Sequence, residues 1–343
     1  MANTIWKMQE LKHNFNNKKK LSKMKNKLIE VLSVQSESYN QWRMFAYIIR
    51  ELNRLKCSYY VKDGNIYATK GIAKKYPCVV SHMDTVHAIV EDLTVVEVNG
   101  NLTGFNAITM QQTGIGGDDK VGIFIALQCI DKFDVIKSVF FRDEEVGCKG
   151  SYDSDFDFFD DCKFILQCDR KGNKDFVTNA SGVQLSGKYF QSDIKYILKK
   201  HGYSFSNGMM TDVMALKESG VKCSMANISC GYYNPHCKNE YVNINDVYNC
   251  LYLVIGIISF LKKSYCCIYE YFEPVYKKSN EFNKSIEPYF FGQDDGFENY
   301  AYMKNVEQNC ECCEEKSLLT FVSDYNIEMC DKCIKAYIKP YGT

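Results

Sequence analysis

Segments typical of strands alternate with segments typical of helices between residues 58 and 262, and this alternation restricts the fold more than any other feature. Short apolar runs such as PCVVSHMD and IKSVFF predict buried strands, whereas DKVGIFIALQCI and VYNCLYLVIGIISFLKK predict helices. The segment CSYYVKDGNIYATKG predicts a hairpin, because Asp63 and Gly64 supply turn residues between two aromatic-rich strands. The pattern therefore predicts an α/β fold, a three-layer α/β/α sandwich with a mixed central sheet.

The composition is that of an ordinary globular protein. The 343 residues are 46% hydrophobic and 24% charged, and 42 Lys and Arg residues balance 42 Asp and Glu residues. Zero net charge gives no reason to expect nucleic acid as a partner, and no apolar run is long enough to predict a membrane span. The N-terminal segment lacks the apolar core of a signal peptide, and the 17 cysteines of so long a chain favour reduced thiols. We expect a cytoplasmic protein.

Changes in composition divide the chain into four predicted parts. Residues 1–27 form a basic N-terminal extension, for which a solvated helix or loose arm is the simplest interpretation and an RNA-contacting patch the alternative. Residues 28–262 form the alternating α/β domain. Residues 263–305, rich in Tyr, Asn and Glu, form a linker, and residues 306–343 form a small cysteine-containing module.

The C-terminal cysteines have the spacing of a structural zinc site. Cys310 and Cys313 form one CxxC pair, and Cys330 and Cys333 form a second. Four thiolates in two such pairs are typical of a zinc ribbon with one tetrahedral zinc ion. Cys312 lies inside the first pair, so the ligand there could shift. Such a module stabilises a small fold or mediates contacts.

Acidic and histidine side chains occur just beyond the carboxyl ends of the apolar strands. The carboxyl ends of strands in an open α/β sheet converge on one crevice. So many carboxylates in one crevice would repel one another unless cations neutralised them, and imidazole mixed with carboxylate suits Zn²⁺, or Mn²⁺ or Co²⁺. Each residue alone has a simpler explanation as a turn, cap or core residue, but together they predict a metal site. The residues are His82, Asp84, Asp118, Asp119, Glu144, Glu145, Asp169 and His236.

Five motifs carry a family resemblance. HMDTV, GGDDKVG, RDEEVG, CD and NPHCKNEYV resemble, in this order, the motifs of the di-zinc exopeptidases of the peptidase T / carboxypeptidase G / aminoacylase type. The segment TDVMALKESGVKCSMANISCGYYNPHCKNEYVNI is especially similar to peptidase T. The resemblance extends over roughly residues 28–262 and implies the fold and the metal-dependent activity of these exopeptidases.

The resemblance also implies which residues bind the metal ions. Asp118 would bridge two ions. His82 and Asp169 would complete the first ion, and Glu145 and His236 would complete the second. Two zinc ions, or cobalt or manganese, would thus share one carboxylate.

Two further residues would support the chemistry. The resemblance implies that Glu144 is the general base and that Asp84 orients the imidazole of His82. It also implies a cis peptide bond between Asp118 and Asp119. Two metal ions that share a carboxylate can lower the pKa of a water molecule held between them, and a free carboxylate can then accept its proton.

The chain departs from the family between Asp169 and Thr211. Typical members insert a lid or dimerisation domain of about a hundred residues before the last motif, whereas here only residues 170–210 are available, and they have the pattern of core elements. The lid is therefore expected to be absent. The substrate-gripping residue and the oligomeric state that depend on it stay open.

Three other polar residues have two interpretations each. Arg170 could clamp a substrate carboxylate, or it could form an ion pair with a neighbouring acidic residue. His87 and His201 could belong to the site, but a polar loop or surface role is the simpler interpretation for both.

These inferences favour a di-metal hydrolase that cleaves peptide bonds of short peptides, as an aminopeptidase or a di/tripeptidase with Glu144 as general base. Its partner would be a short peptide or an amino-acid amide, with no nucleic acid or membrane. One alternative is an amidohydrolase or deacylase acting on an N-acyl or glutamyl amino acid. Another is a non-catalytic adaptor that keeps the fold and uses the zinc ribbon, although such a protein has no evident need for Glu144.

Overall fold

The computed structural model describes residues 21–267, and beyond them the backbone of residues 303–309, 316–322 and 327–330. The helices are α1 (residues 21–33), α2 (Trp42–Arg54), α3 (Gly117–Lys132), α4 (Lys149–Tyr152), α5 (Lys188–His201), α6 (Asp212–Glu218) and α7 (Ile244–Phe260). The strands are β1 (Ser58–Lys62), β2 (Asn65–Lys70), β3 (Tyr76–His82), β4 (Leu93–Val98), β5 (Asn101–Asn106), β6 (Gln112–Thr113), β7 (Ile136–Phe141), β8 (Cys162–Arg170), β9 (Asp175–Ala180), β10 (Val183–Gln184), β11 (Ser204–Gly208), β12 (Ser224–Ser229), β13 (Tyr232–Tyr233), β14 (Tyr241–Asn243), β15 (Met303–Asn309), β16 (Lys316–Val322) and β17 (Ile327–Cys330).

A nine-stranded mixed sheet forms the centre of the fold. Its strand order is β1-β2-β7-β3-β8-β12-β9-β10, and β11 pairs with β9. The four neighbouring strands β7, β3, β8 and β12 run parallel, whereas β1, β2 and β7 are joined by antiparallel pairs. The predicted α/β fold with a mixed central sheet is therefore confirmed.

Helices cover both faces of this sheet, which explains why its central strands are apolar along their whole length. Every residue of β3 and of β7 is buried. Alternate residues of β3 face opposite sides, so Val79 packs in the cluster that contains α2, α3, α5 and α7, whereas Val80 packs in the cluster that contains α6. The result is the predicted three-layer arrangement.

The predicted hairpin at the edge of the sheet is also confirmed. Strands β1 and β2 pair antiparallel, with Lys62 opposite Asn65. The two residues between them, Asp63 and Gly64, both have positive φ angles, 51° and 75°. Positive φ at both positions is the geometry that a two-residue type I′ turn requires, and Asp-Gly is among the sequences that tolerate it best.

A second, smaller sheet was not predicted. Its strand order is β13-β14-β5-β4, with β6 also paired to β5. The pairing of β14 with β5 places Tyr241 opposite Thr103, and these residues are far apart in the sequence. The loop between β13 and β14 is therefore anchored on β5.

The segment between Asp169 and Thr211 belongs to the main layers. It forms β9, β10 and β11, which join the nine-stranded sheet, and α5, whose buried face packs in the same cluster as α7. These elements therefore extend the main sheet and one of its helical layers.

The packed region continues beyond residues 28–262 at both ends. Helix α1 continues across the boundary between residues 27 and 28. At the other end, Tyr265 is buried, and Cys266 forms an isolated bridge with Cys223, so the packed region continues past residue 262. No helix among residues 21–267 is long and apolar enough to cross a membrane.

The C-terminal part forms a three-stranded antiparallel sheet in the order β15-β16-β17. Three of the four predicted zinc ligands, Cys310, Cys313 and Cys333, lie outside the described residues. Cys330 is the last residue of β17 and pairs with Leu319 of β16. The zinc-ribbon prediction therefore stays a prediction.

Candidate metal centre

The candidate site lies at the carboxyl ends of the parallel strands. His82 is the last residue of β3, Asp169 is near the end of β8, and Glu145 follows β7. Asp118 lies at the start of α3, where its backbone angles are not helical, and His236 lies in the loop between β13 and β14. The structure brings these five predicted residues together.

The first group of potential ligands consists of His82, Asp118 and Asp169, with one atom from each within 4.8 Å of the others. The Nε2 atom of His82 lies 3.3 Å from Oδ1 of Asp118 and 3.6 Å from Oδ1 of Asp169. The imidazole is completely buried. It therefore presents a single nitrogen to two carboxylates.

The second group consists of Asp118, Glu145 and His236, whose potential ligand atoms also lie within 4.8 Å of one another. The Nε2 atom of His236 lies 3.4 Å from Oδ2 of Asp118 and 3.1 Å from Oε2 of Glu145. Asp118 thus directs Oδ1 to the first group and Oδ2 to the second. This arrangement suits a carboxylate that bridges two cations. The Asp118–Asp119 peptide bond is cis, as the resemblance implies.

The buried carboxylate of Asp84 has a broader role than the one expected for it. The Nδ1 atom of His82 lies 3.0 Å from the backbone oxygen of Asp84 and 3.4 Å from its Oδ1. The carboxylate also accepts the backbone N–H groups of Glu144 at 2.9 Å and Glu145 at 3.3 Å, and the Ser38 hydroxyl at 2.8 Å. Asp84 therefore holds both the imidazole and the two glutamates in place.

Glu144 belongs to neither group of potential ligands. Its Oε2 atom lies 3.9 Å from Nε2 of His82, and its Oε1 atom accepts a weak hydrogen bond from the thiol of Cys148 at 3.5 Å. The two adjacent glutamates therefore differ in position. Glu145 faces His236, whereas Glu144 stands beside the first group with Oε2 available.

The site contains closely spaced, buried carboxyl groups, and one of their oxygens has no hydrogen-bond partner among the described residues. A bound cation would stabilise both features. Burial, with a contribution from the charge of Asp118, raises the pKa of Asp169 well above its usual range, and burial together with the neighbouring acids raises the pKa of Glu144 in the same way. The Oε1 atom of Glu145 is buried and has no hydrogen-bond partner among the described residues. An oxygen of this kind is costly to bury unless it binds a proton or a metal ion. The residues present therefore fit divalent cations.

The pKa values of the two histidines and of Asp118 are shifted as well. Burial lowers the pKa of His82, but hydrogen bonds with Asp118, Asp169 and Asp84 outweigh it, so that the pKa is raised well above its ordinary value. Contacts with Asp118 and Glu145 raise the pKa of His236 to about 10. The pKa of Asp118 is lowered, because the hydrogen bonds of the two histidines outweigh its burial. Positive charge is favoured at each of these contacts.

Several residues that hold Asp169 were not identified from the sequence. Oδ2 of Asp169 accepts hydrogen bonds from Gln167 at 3.1 Å and from Thr211 at 3.3 Å, and Oδ1 accepts one from Tyr232 at 3.3 Å. The side-chain oxygen of Asn227 accepts the backbone N–H of Asp169 at 3.0 Å, and the side-chain NH2 group of Asn227 donates to the backbone oxygen of Asp169 at 2.8 Å. Only the Thr-Asp pair that is similar to peptidase T could have indicated part of this network.

The contacts of Arg170, His201 and His87 distinguish between the two interpretations given above for each residue. Arg170 forms an ion pair with Asp175 at 3.1 Å, as in the simpler interpretation of this residue. His201 bonds Asn249 at 2.9 Å and takes no part in either ligand group. His87 does not reach the ligands either, but it bonds the buried carboxylate of Glu240.

Asp212 provides a test of the electrostatics of the site. It is completely buried, its Oδ2 atom accepts a hydrogen bond from Gln167 at 3.0 Å, and its Oδ1 atom has no partner among the described residues. Burial is the main cause that raises its pKa from 3.8 to about 6. Asp212 is therefore ionised above about pH 6 in the folded protein, at a cost to stability.

We expect the Asp212→Asn substitution to stabilise the chelator-treated protein increasingly as the pH rises. The folded pKa lies above the unfolded one, so between about pH 4 and pH 6 the folded state holds more protons and wild-type stability falls with rising pH. Asn keeps an acceptor for Gln167 and does not titrate, so the gain should reach roughly 3 kcal/mol above pH 6. Urea unfolding of both proteins in EDTA at pH 4 to 7 measures this difference. A difference that does not change with pH would contradict the assignment.

Comparisons with known proteins give a structural likeness only. No family model and no curated protein sequence matches the chain. The aminopeptidase PepT from Bacillus cereus aligns with a TM-score of 0.59 at 15% identity, over 69% of this chain and 98% of its own. An aminopeptidase from the archaeon Desulfurococcus kamchatkensis aligns with a TM-score of 0.57 at 13% identity, over 71% and 96%.

A tripeptidase from Staphylococcus aureus gives a third likeness, with a TM-score of 0.56 at 13% identity, over 69% of this chain and 97% of its own. Each aligned protein is matched over nearly its whole length, although the identity is low. These likenesses show that the chain has the same fold as these three proteins.

Proposed function

We propose that the protein is a metal-dependent hydrolase that cleaves peptide bonds of short peptides, as an aminopeptidase or a di/tripeptidase. One observation carries the proposal. Two groups of imidazole and carboxylate ligands share Asp118, and the uncommitted carboxylate of Glu144 stands beside them. The aminopeptidases and the tripeptidase with the same fold support the choice of short peptides as substrates.

Two cations, zinc or else cobalt or manganese, fit the two groups. His82, Asp118 and Asp169 would hold one, and Asp118, Glu145 and His236 would hold the other. When bound, such cations polarise the scissile carbonyl and lower the pKa of a water molecule towards neutrality.

The residues of the chain supply the proton transfer. Glu144 accepts a proton from the attacking water at Oε2, the oxygen that the Cys148 thiol leaves available, and later delivers it to the leaving amine. Asp84 keeps Glu144 in position through the backbone N–H of that residue. Burial raises the pKa of Glu144 above its usual range, which helps the carboxyl group to hold the accepted proton until it is passed to the leaving amine.

The proposal extends to the whole chain. Residues 28–262, with the packed residues beside them, would form the catalytic domain, and residues 306–343 would bind one structural zinc ion through Cys310, Cys313, Cys330 and Cys333. We place the protein in the cytoplasm, where these thiols stay reduced.

A substrate panel tests the proposed activity. Full-length protein is stripped with a chelator, reconstituted with Zn²⁺, Co²⁺ or Mn²⁺, and incubated with dipeptides, tripeptides, aminoacyl amides, N-acyl amino acids and glutamyl peptides. We expect metal-dependent release of amino acids from the free peptides. Turnover confined to N-acyl or glutamyl substrates would instead identify an amidohydrolase, and no turnover of any substrate with any of the three metals would contradict an enzymatic function.

A further inference from the structure

Glu240 is a buried glutamate next to the candidate metal centre. None of the roles predicted from the sequence was assigned to it. Its side chain is completely inaccessible to solvent. Oε2 accepts the backbone N–H of Gly116 at 2.7 Å and lies 2.8 Å from Nε2 of His87, while Oε1 accepts the backbone N–H of Asp118 at 3.2 Å. Three donors thus converge on one carboxylate.

These donors belong to the segments that carry the potential metal ligands. His87 lies in the loop that follows β3 and its terminal His82. Asp118 is the residue shared by both ligand groups. Glu240 itself lies in the same β13–β14 loop as His236. One carboxylate therefore connects the loops of His82, Asp118 and His236.

The surrounding packing leaves these segments little room to move. A Cβ atom at Gly114 would collide with the ring of His87, and one at Gly117 would lie 2.7 Å from Cβ of Tyr232 and 3.3 Å from Oε1 of Glu240. Gly116 has a positive φ of 67°. The glycines of the GIGG segment thus allow the backbone to approach His87 and Glu240 closely.

We infer that Glu240 is a positioning residue that fixes the distance between the bridging carboxylate of Asp118 and the imidazole of His236. The inference rests on the proposed two-cation site. Glu240 holds the backbone of Asp118 from the loop that carries His236, so its loss should weaken chiefly the cation group formed by Asp118, Glu145 and His236. A carboxylate suits this position because both of its oxygens can accept hydrogen bonds, whereas an amide would direct N–H groups at the donors.

The E240Q variant tests this inference with zinc affinity as the first measurement. Full-length, chelator-treated protein is titrated with Zn²⁺ by calorimetry and by competition with a chromophoric chelator. We expect one of the zinc-binding events of the wild-type protein to weaken by about 10- to 100-fold, the effect typical of residues that orient metal ligands. Zinc bound by the C-terminal cysteines is common to all variants and cancels in the comparison. Excess zinc should restore peptide hydrolysis, which a general loss of folding would not allow.

Glu51 offers a matched control, because it is also a buried glutamate but lies on α2 and pairs with Lys27 and Arg54. The E51Q variant should bind zinc as the wild-type protein does. If E240Q does not fold, H87A removes one donor and should weaken the same binding event to a smaller extent.

The outcomes separate this inference from the proposed function. Wild-type zinc affinity in both E240Q and H87A would overturn the positioning role and leave the two-cation site intact. A wild-type protein in which zinc binds only to the C-terminal cysteines would overturn both.

Discussion

Replacing Glu144 with Gln is expected to lower kcat for peptide hydrolysis by about 100- to 10,000-fold, the usual contribution of a general base. Gln has nearly the same shape but cannot accept the proton of the attacking water. Glu144 lies outside both ligand groups, and Asp84 bonds only its backbone N–H, so the loops and the zinc content should not change. Steady-state kinetics together with zinc analysis of the same preparation measure both quantities.

The comparison with Glu51→Gln separates the loss of a base from the loss of any buried glutamate. Glu51 is 4% exposed and belongs to α2, away from both ligand groups, so its substitution should leave kcat at the wild-type value. Turnover of the Glu144→Gln variant close to that of the wild-type protein would show that another group accepts the proton. A loss of zinc from this variant would assign Glu144 to the ligands instead.

Replacing Asp118 with Ala is expected to affect both cations at once and to reduce hydrolysis below detection. Its Oδ1 atom lies 3.3 Å from Nε2 of His82, and its Oδ2 atom lies 3.4 Å from Nε2 of His236. Among the described residues, Asp118 alone belongs to both groups. The affinity of each site should fall by more than about 100-fold, beyond the effect typical of residues that merely orient ligands. Zinc titration of the chelator-treated variant measures this loss.

The histidines provide graded comparisons for Asp118→Ala. His236→Ala removes a ligand from the second group alone, so the binding event assigned to His82, Asp118 and Asp169 should be retained. His201→Ala alters a histidine whose partner is Asn249, outside both groups, and should change neither event. Loss of a single cation from the Asp118→Ala variant would contradict the shared carboxylate.

The sequence was sufficient to predict the layers of the fold and the convergence of the five ligand candidates, because both depend on local patterns. Unbroken apolar runs such as that of β3 predict buried parallel strands, and the carboxyl ends of such strands meet at one edge of the sheet. The Asp63-Gly64 turn was predictable for the same reason, since two residues alone determine its geometry.

The sequence could not show which buried polar residues orient the ligands. In the sequence, nothing distinguishes Glu240 from any other acidic residue of a polar loop. In the folded chain, the pairing of β14 with β5 brings its loop to Gly116 and Asp118. The hydrogen bonds that the Asp84 carboxylate accepts from the backbone N–H groups of Glu144 and Glu145 likewise depend on contacts between distant segments. Periodicity contains no information about such contacts, because they arise only from the packing of the folded chain.

The number of zinc ions bound by the full-length protein tests the shared two-cation site most directly. The measurement compares wild-type protein with the Asp118→Ala variant, after chelation, reconstitution and removal of free zinc. We predict about three ions per wild-type chain, two in the site and one at the C-terminal cysteines, and about one in the variant. A wild-type value of about one that the substitution leaves unchanged would contradict the site.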